Sequence, residues 1–237
     1  MTTQFLHTKG TCQRHGPMMA YNISPTYSED MNMREFVSIA YRKPSYFTPH
    51  IIDEFGRHQD TLKRTIDISM VGGYYKNKTP YIRALQRNFD LVVKGRWSTY
   101  EKFIISENLR SLIQNLNTIK PVSTSEKYQL LNKSKIGINI SFSGVGRETG
   151  NTRIYDVISQ EALCLTSDGG KRHDEKYFND NEIIRYTSVS DMLDKAKYFL
   201  RNDNEREEIA RRARQKLVKD FNPRKVYASF LKWASSL

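Results

Sequence analysis

From Ile66 onward, short apolar runs alternate with segments whose apolar residues recur at helical spacing, and this alternation predicts βαβ units on a parallel sheet, an α/β fold. Ile66–Val71 reads as a first strand, followed by Gly72 and Gly73 and a helix over 80–88. Pro80 suits the first turn of that helix, where its missing N–H has no intrahelical partner to lose. Leu91–Lys94 reads as a second strand ended by Gly95, and Phe103, Leu109, Leu112, Ile113 and Leu116 predict one helix over 100–117. A short extended piece over 119–122 precedes Ser123 and Glu126, a capping-box pair opening a helix to about Asn132.

The run Ile136–Ile140 reads as a buried strand, followed by a polar loop, a helix over 152–160, a strand over 162–166 and a short strand over 183–186. Ser188 with Asp191 caps a helix carrying Met192, Leu193, Ala196, Phe199 and Leu200, and Asp203 is placed to cap the next, where Ile209, Ala213 and Leu217 recur. Pro223 opens a terminal helix with Val226, Phe230 and Trp233 along one side. Residues 1–64 break this texture with Pro17, Pro25, Pro44 and Pro49, and read as an irregular arm with one short helix near 31–41. The expected organisation is therefore an arm over 1–64 and one domain over 65–237.

Composition narrows the class. With 38% hydrophobic and 11% aromatic residues among 237, the chain has the apolar content for a core without disulfide staples. Its two cysteines, Cys12 and Cys164, form no disulfide framework, and no signal peptide or membrane span is visible, so a cytoplasmic location is expected. The net charge of +12 favours anionic partners: nucleotide sugars, acidic lipid or nucleic acid. The densest basic cluster, Arg206 to Lys219, interleaves with Glu205, Glu207 and Glu208, the pattern of a solvated helix face. Cys12 with His15 has a metal-like spacing, but no second ligand pair follows, so no metal is expected.

Two segments carry candidate chemistry. The order strand, glycine turn, helix at residues 71–80 lets backbone N–H groups approach an anion, although it is also what any tight strand-to-helix turn looks like. The second is the run over 141–161, where Ser143, Arg147, Asn151, Arg153 and Asp156 crowd the carboxyl end of a buried strand. Ligands of open parallel sheets sit outside those ends. Arg153 has the planar fork that pairs with a diphosphate, and Asp156 or Glu161 can accept from sugar hydroxyls. An ordinary helix start with an Arg153–Asp156 pair is the plainer alternative.

The blocks IDISMVGGYYKNKTPYIRALQ, FDLVVKGRW, SEKYQLLNKSKIGINIS, TRIYDVISQEALCLTS and the stretch over 180–217 together resemble CgeB-type (spore-maturation-protein) glycosyltransferases, within the glycosyl transferases group 1 set. The resemblance implies the C-terminal, Rossmann-like domain of a GT-B enzyme, a parallel sheet flanked by helices that binds a nucleotide-sugar donor without a metal or other cofactor. It maps the glycine turn near the donor phosphates onto Gly72 and Gly73, with Lys76 beside them. The family's Arg-x-Phe-Glu element falls on Arg153, Tyr155 and Asp156, the acceptor shortened by one methylene, and the usual small residues are replaced by Gln160 and Glu161. Donor contacts are accordingly expected from Gly72, Gly73, Lys76, Ser143, Arg147, Asn151, Arg153, Tyr155, Asp156 and Glu161. An acceptor-binding half does not precede the donor blocks, so a partner subunit, or self-association through the arm, is expected to complete the site for an unidentified acceptor. A basic structural or nucleic-acid-associated protein that keeps only the half-fold is the alternative.

Overall fold

Among the described residues five strands run parallel, in the order β2–β1–β3–β4–β5, from β1 (Ile66–Val71), β2 (Leu91–Lys94), β3 (Ser134–Asn139), β4 (Leu163–Ser167) and β5 (Ile184–Tyr186). The architecture is the α/β parallel sheet that the alternation predicts and the Rossmann-like domain that the resemblance implies. The computed structural model describes residues 63–140, 152–167 and 178–236, so the arm over 1–62 and the expected helix near 31–41 lie outside the described residues.

Every residue of β4 is buried, and β3 carries Ile136 and Ile138 on one face with Gly137 on the other. Strands covered on both faces bury nearly every position, which is why these runs lack strict polar alternation. On one face the core joins Ile68, Met70, Val93, Ile136, Ile138 and Leu165 to Ile82 and Leu85 of α1 (Thr79–Asn88), Ile105 of α2 (Thr99–Ile105) and Met192, Ala196 and Phe199 of α6 (Val189–Arg201). The other core joins Cys164 to Tyr128 and Leu131 of α4 (Thr124–Asn132), Ile154, Val157 and Ile158 of α5 (Thr152–Ser159), and Ala213 and Leu217 of α7 (Asp203–Asp220). Cys164 is a buried core residue, as its place in an apolar strand implies.

Two expectations change. The single helix over 100–117 is two, α2 and α3 (Leu109–Thr118), because Ser98 with Glu101 and Asn108 with Ser111 each form a reciprocal capping box. The second box starts a new helix inside what apolar spacing alone joins. Asp203 does not cap α7; Asn202 holds that position without a side-chain bond, and Asp203 instead pairs with the buried Arg206. The piece over 119–122 lies between two helices as expected, with Ile119 extended and the Gly95 N–H donating to the Lys120 carbonyl at 3.0 Å. Elsewhere boundaries shift by one or two residues, and the capping of α4 by Ser123 and of α6 by Ser188 is as expected.

The chain divides into two compact units. Ile52–Asn222 holds the sheet. The other groups Met1–Ile51 with Pro223–Leu237, and its described part is α8 (Pro223–Ala234), where the Phe230 and Trp233 rings lie 5.8 Å apart.

Candidate anion-binding site at the strand tips

β1 ends at Val71 and the chain turns through Gly72, whose φ of 152° is a conformation side chains rarely adopt. After the turn a 3-10 segment, Lys76–Lys78, leads into α1. That short turn decides which lysine faces inward: Lys76 is exposed, whereas Lys78 is 2% exposed and donates to the Gly73 carbonyl at 3.1 Å. Burial, with the Arg153 charge as a second cause, drops the Lys78 ammonium from its ordinary value to about 7.

Arg153 is the second residue of α5 and reaches across to β1, where its Nε donates to the Val71 carbonyl at 2.5 Å and its Nη1 to Asn139 Oδ1 at 2.7 Å. Burial lowers its pKa as well. Helix α5 can lie this close to the sheet because β3 has Gly137 beneath it: a β-carbon there would come within 2.5 Å of both γ-carbons of Val157, one turn along from Arg153. Two cationic side chains thus converge on a glycine turn at the carboxyl ends of a parallel sheet, between the N-terminal ends of α1 and α5. Helix N-termini and backbone N–H groups there favour anions.

The remaining candidates divide by position. Gly73 has open space around its α-carbon. Asp156 lies one turn into α5, and its Oδ1 accepts from Lys127 Nζ at 2.9 Å and from the Tyr128 hydroxyl at 3.1 Å. The Asp156 charge also acts on Arg153, one turn back on α5, raising its pKa against the effect of burial. Tyr155 is not at the tips: its ring is buried against Phe178 and Phe221, at centroid distances of 5.8 and 5.3 Å.

Glu161 sits at the opposite end of the sheet, just before β4 begins, with a φ of 56°. Its carbonyl accepts from Arg64 Nη2 at 2.5 Å, part of a four-carbonyl clasp that also takes Gln160, Asn132 and Ser134. Glu161 is therefore not with the glycine turn, because a residue preceding a parallel strand lies at its amino end. Ser143, Arg147 and Asn151 lie outside the described residues.

Sequence spacing missed Lys78, Asn139 and Trp97. Trp97 Nε1 donates to the Gly72 carbonyl at 2.7 Å, and its ring meets Tyr74 edge-on at 5.3 Å. For Asn139 the signal was present: an amide inside the apolar run IGINI must find hydrogen bonds when buried. For Lys78 it was fainter, a lysine directly before the Thr-Pro that opens α1. On α7, Glu208 pairs with Arg211 at 2.7 Å and Arg212 at 3.9 Å, as a solvated face does. Among the described residues, no three His, Cys, Asp or Glu side chains gather as metal ligands would, and no helix is long and apolar enough to cross a membrane.

A parallel sheet of this order, with a cation-lined glycine turn at its tips, defines a Rossmann-like α/β domain. The chain belongs to the glycosyl transferase-like family, whose model matches residues 76–232. A search of the curated proteins found no match. Among solved structures it is similar to Alr3699/HepE of Anabaena in complex with UDP and glucose, with a TM-score of 0.63 and 10% identity over 81% of this chain and 57% of that one. It is similar to the C-terminal domain of a glycosyl transferase group 1 family protein (LpcC) from Francisella tularensis, at TM-score 0.56 and 12% identity over 73% of this chain and 99% of that domain. The GtfA/B complex gives TM-score 0.57 and 11% identity over 86% and 42%. At these identities the likeness is one of fold, and the chain spans only about half of the two longer neighbours.

Proposed function

We propose that this chain is the donor-binding part of a CgeB-type glycosyltransferase, holding a nucleotide sugar by its diphosphate at the tips of β1 and β3. The observation that carries the reading is the convergence of Lys78 and Arg153 on the Gly72–Gly73 turn. A diphosphate between them relieves what burial imposes on Lys78, since an anion favours the charged ammonium. Backbone N–H groups of the turn and the N-terminal ends of α1 and α5 add fixed donors without a metal.

Transfer chemistry needs an acceptor held against the donor with water excluded. The match to nearly all of an isolated C-terminal domain, beside the half-length match to longer neighbours, supports reading this chain as the donor half of a two-part site. A partner subunit contributing to the acceptor half belongs to this proposal. The test is calorimetry of the full chain against UDP-, GDP-, ADP- and TDP-sugars and the free diphosphates. At least one is expected to bind, and Lys78→Gln to weaken it at least about tenfold, the worth of one charge-assisted contact. A folded sample that binds none of them refutes the reading.

A further inference from the structure

Behind Arg153 the strand tips carry a polar chain to which donor binding alone gives no role. Asn139, the last residue of β3, accepts from Arg153 through Oδ1 and donates through Nδ2 to Thr166 Oγ1 at 2.9 Å. Its carbonyl accepts from the Tyr186 hydroxyl at 3.1 Å. Asn139 and Thr166 are both wholly buried, and the register of β3 on β4 sets them side by side.

The two ends of a primary amide differ, one only accepting and the other only donating, and a guanidinium only donates. The Asn139 oxygen must therefore face Arg153, and something must receive the NH2 end. Thr166 does so. With the amide turned over, two donors would oppose each other in a buried site, which is costly. The Val71 carbonyl holds Nε while Asn139 holds Nη1, and two anchored N–H groups fix the plane of a rigid guanidinium.

We infer that Asn139, anchored at its NH2 end by Thr166, is the positioning residue for Arg153, fixing the attitude in which the guanidinium meets a donor diphosphate. The inference rests on the donor reading above. It also makes a claim about Arg153 that holds without ligand.

The test uses the full chain with Thr166→Val, Thr166→Ser, Asn139→Asp and the double variant Asn139→Asp/Thr166→Val. Three quantities are read: affinity for UDP, with inorganic pyrophosphate as a base-independent probe; rotation of the Arg153 guanidinium, from its side-chain Nε–H resonance by NMR; and thermal stability. Thr166→Val is expected to free guanidinium rotation and weaken UDP about tenfold, with Thr166→Ser restoring both. On the Asn139→Asp background both ends of the side chain accept, so orientation no longer matters and Thr166→Val is expected to change neither rotation nor affinity. A merely structural threonine would cost the same on either background.

Unchanged rotation and affinity in Thr166→Val, or an equal effect on the Asn139→Asp background, overturns the inference. If the native chain binds neither UDP nor pyrophosphate, the donor reading fails instead, and the resonance of Arg153 alone decides the positioning.

Discussion

Gly72 and Arg153 compete for one volume: a β-carbon on Gly72 would stand 2.2 Å from Arg153 Nη2 and 2.9 Å from Cζ. The contact ties the backbone of the glycine turn to the cation that crosses over it. Gly72 also holds a φ of 152°, which a side chain would strain.

Gly72→Ala is accordingly expected to displace Arg153 as well as strain the turn. Stability should fall by about 1–3 kcal/mol, from backbone strain and the loosened Val71 and Asn139 bonds. Affinity for a nucleoside diphosphate should fall at least about tenfold. Denaturant melts and calorimetry on one preparation check both, and native affinity in a Gly72→Ala chain would remove Arg153 from the site.

Lys78 makes both stability and binding depend on pH, with a definite sign. Its folded pKa of about 7 lies below the ordinary 10.5, so between those values the unfolded chain holds a proton that the folded chain lacks. Stability therefore gains from this residue as pH rises through that window, by up to about 1.4 kcal/mol per pH unit. Below about 7 both states are protonated and the cost of the buried charge is fully present. Lys78→Met should be more stable than the native chain near neutral pH, with the gap closing toward pH 10. Urea denaturation at several pH values measures the gap, and a constant difference across the window contradicts the assignment.

Binding runs the other way. An anion that favours the ammonium makes nucleoside diphosphate association at pH 8 take up close to one proton, and affinity should decline with rising pH above about 7. Calorimetry in buffers of different ionisation enthalpy reads that proton directly. Lys78→Met should abolish the uptake.

Much of the frame was legible from residue pattern, and the reason is physical. IDISMV, LVVK and IGINI are apolar because parallel strands are covered on both faces, and the turn after the first needs glycine. The end of the sheet at which a residue lies was harder to read. Glu161 and Arg153 are close in sequence, yet a helix carries the chain from the tips at Arg153 to the base at Glu161. Lys76 and Lys78 are equally basic, and only a three-residue 3-10 turn separates the exposed one from the buried one. Tyr155 illustrates the same limit, since helical phase turned it into the aromatic cluster with Phe178 and Phe221.

At the base of the sheet, the Arg64 guanidinium ties the C-terminal ends of α4 and α5 together. It donates to Asn132, Ser134, Gln160 and Glu161 carbonyls at 3.0, 2.6, 3.2 and 2.5 Å. Carbonyls at helix ends lack intrahelical donors, and a cation there also answers the helix dipole. Arg64→Met should destabilise the domain by about 3 kcal/mol or more, because several half-buried acceptors lose a charged donor together. Diphosphate affinity of the remaining folded protein should stay near native, since the clasp lies at the far end of the strands. Equal losses at both ends would mean that the base and the tips are energetically one unit.

Gly137 and Val157 give the sharpest test of how the site is positioned. A methyl group on Gly137 meets both Val157 γ-carbons at 2.5 Å, so Gly137→Ala must push α5 outward or force Val157 from its rotamer, at about 1–3 kcal/mol. Moving α5 also moves Arg153, one turn toward its N-terminus, away from the Val71 carbonyl that it reaches at 2.5 Å. Diphosphate affinity should therefore fall although no residue of the site has changed. Val157→Ala alone leaves a small cavity and should cost stability while sparing affinity. Combined, the two substitutions exchange volume across one contact, so the double variant should recover both quantities relative to Gly137→Ala. The double-mutant cycle should show a favourable coupling of about 1 kcal/mol or more. Additive stabilities, with affinity still lost in the double variant, would show that something other than the seating of α5 places Arg153 at the strand tips.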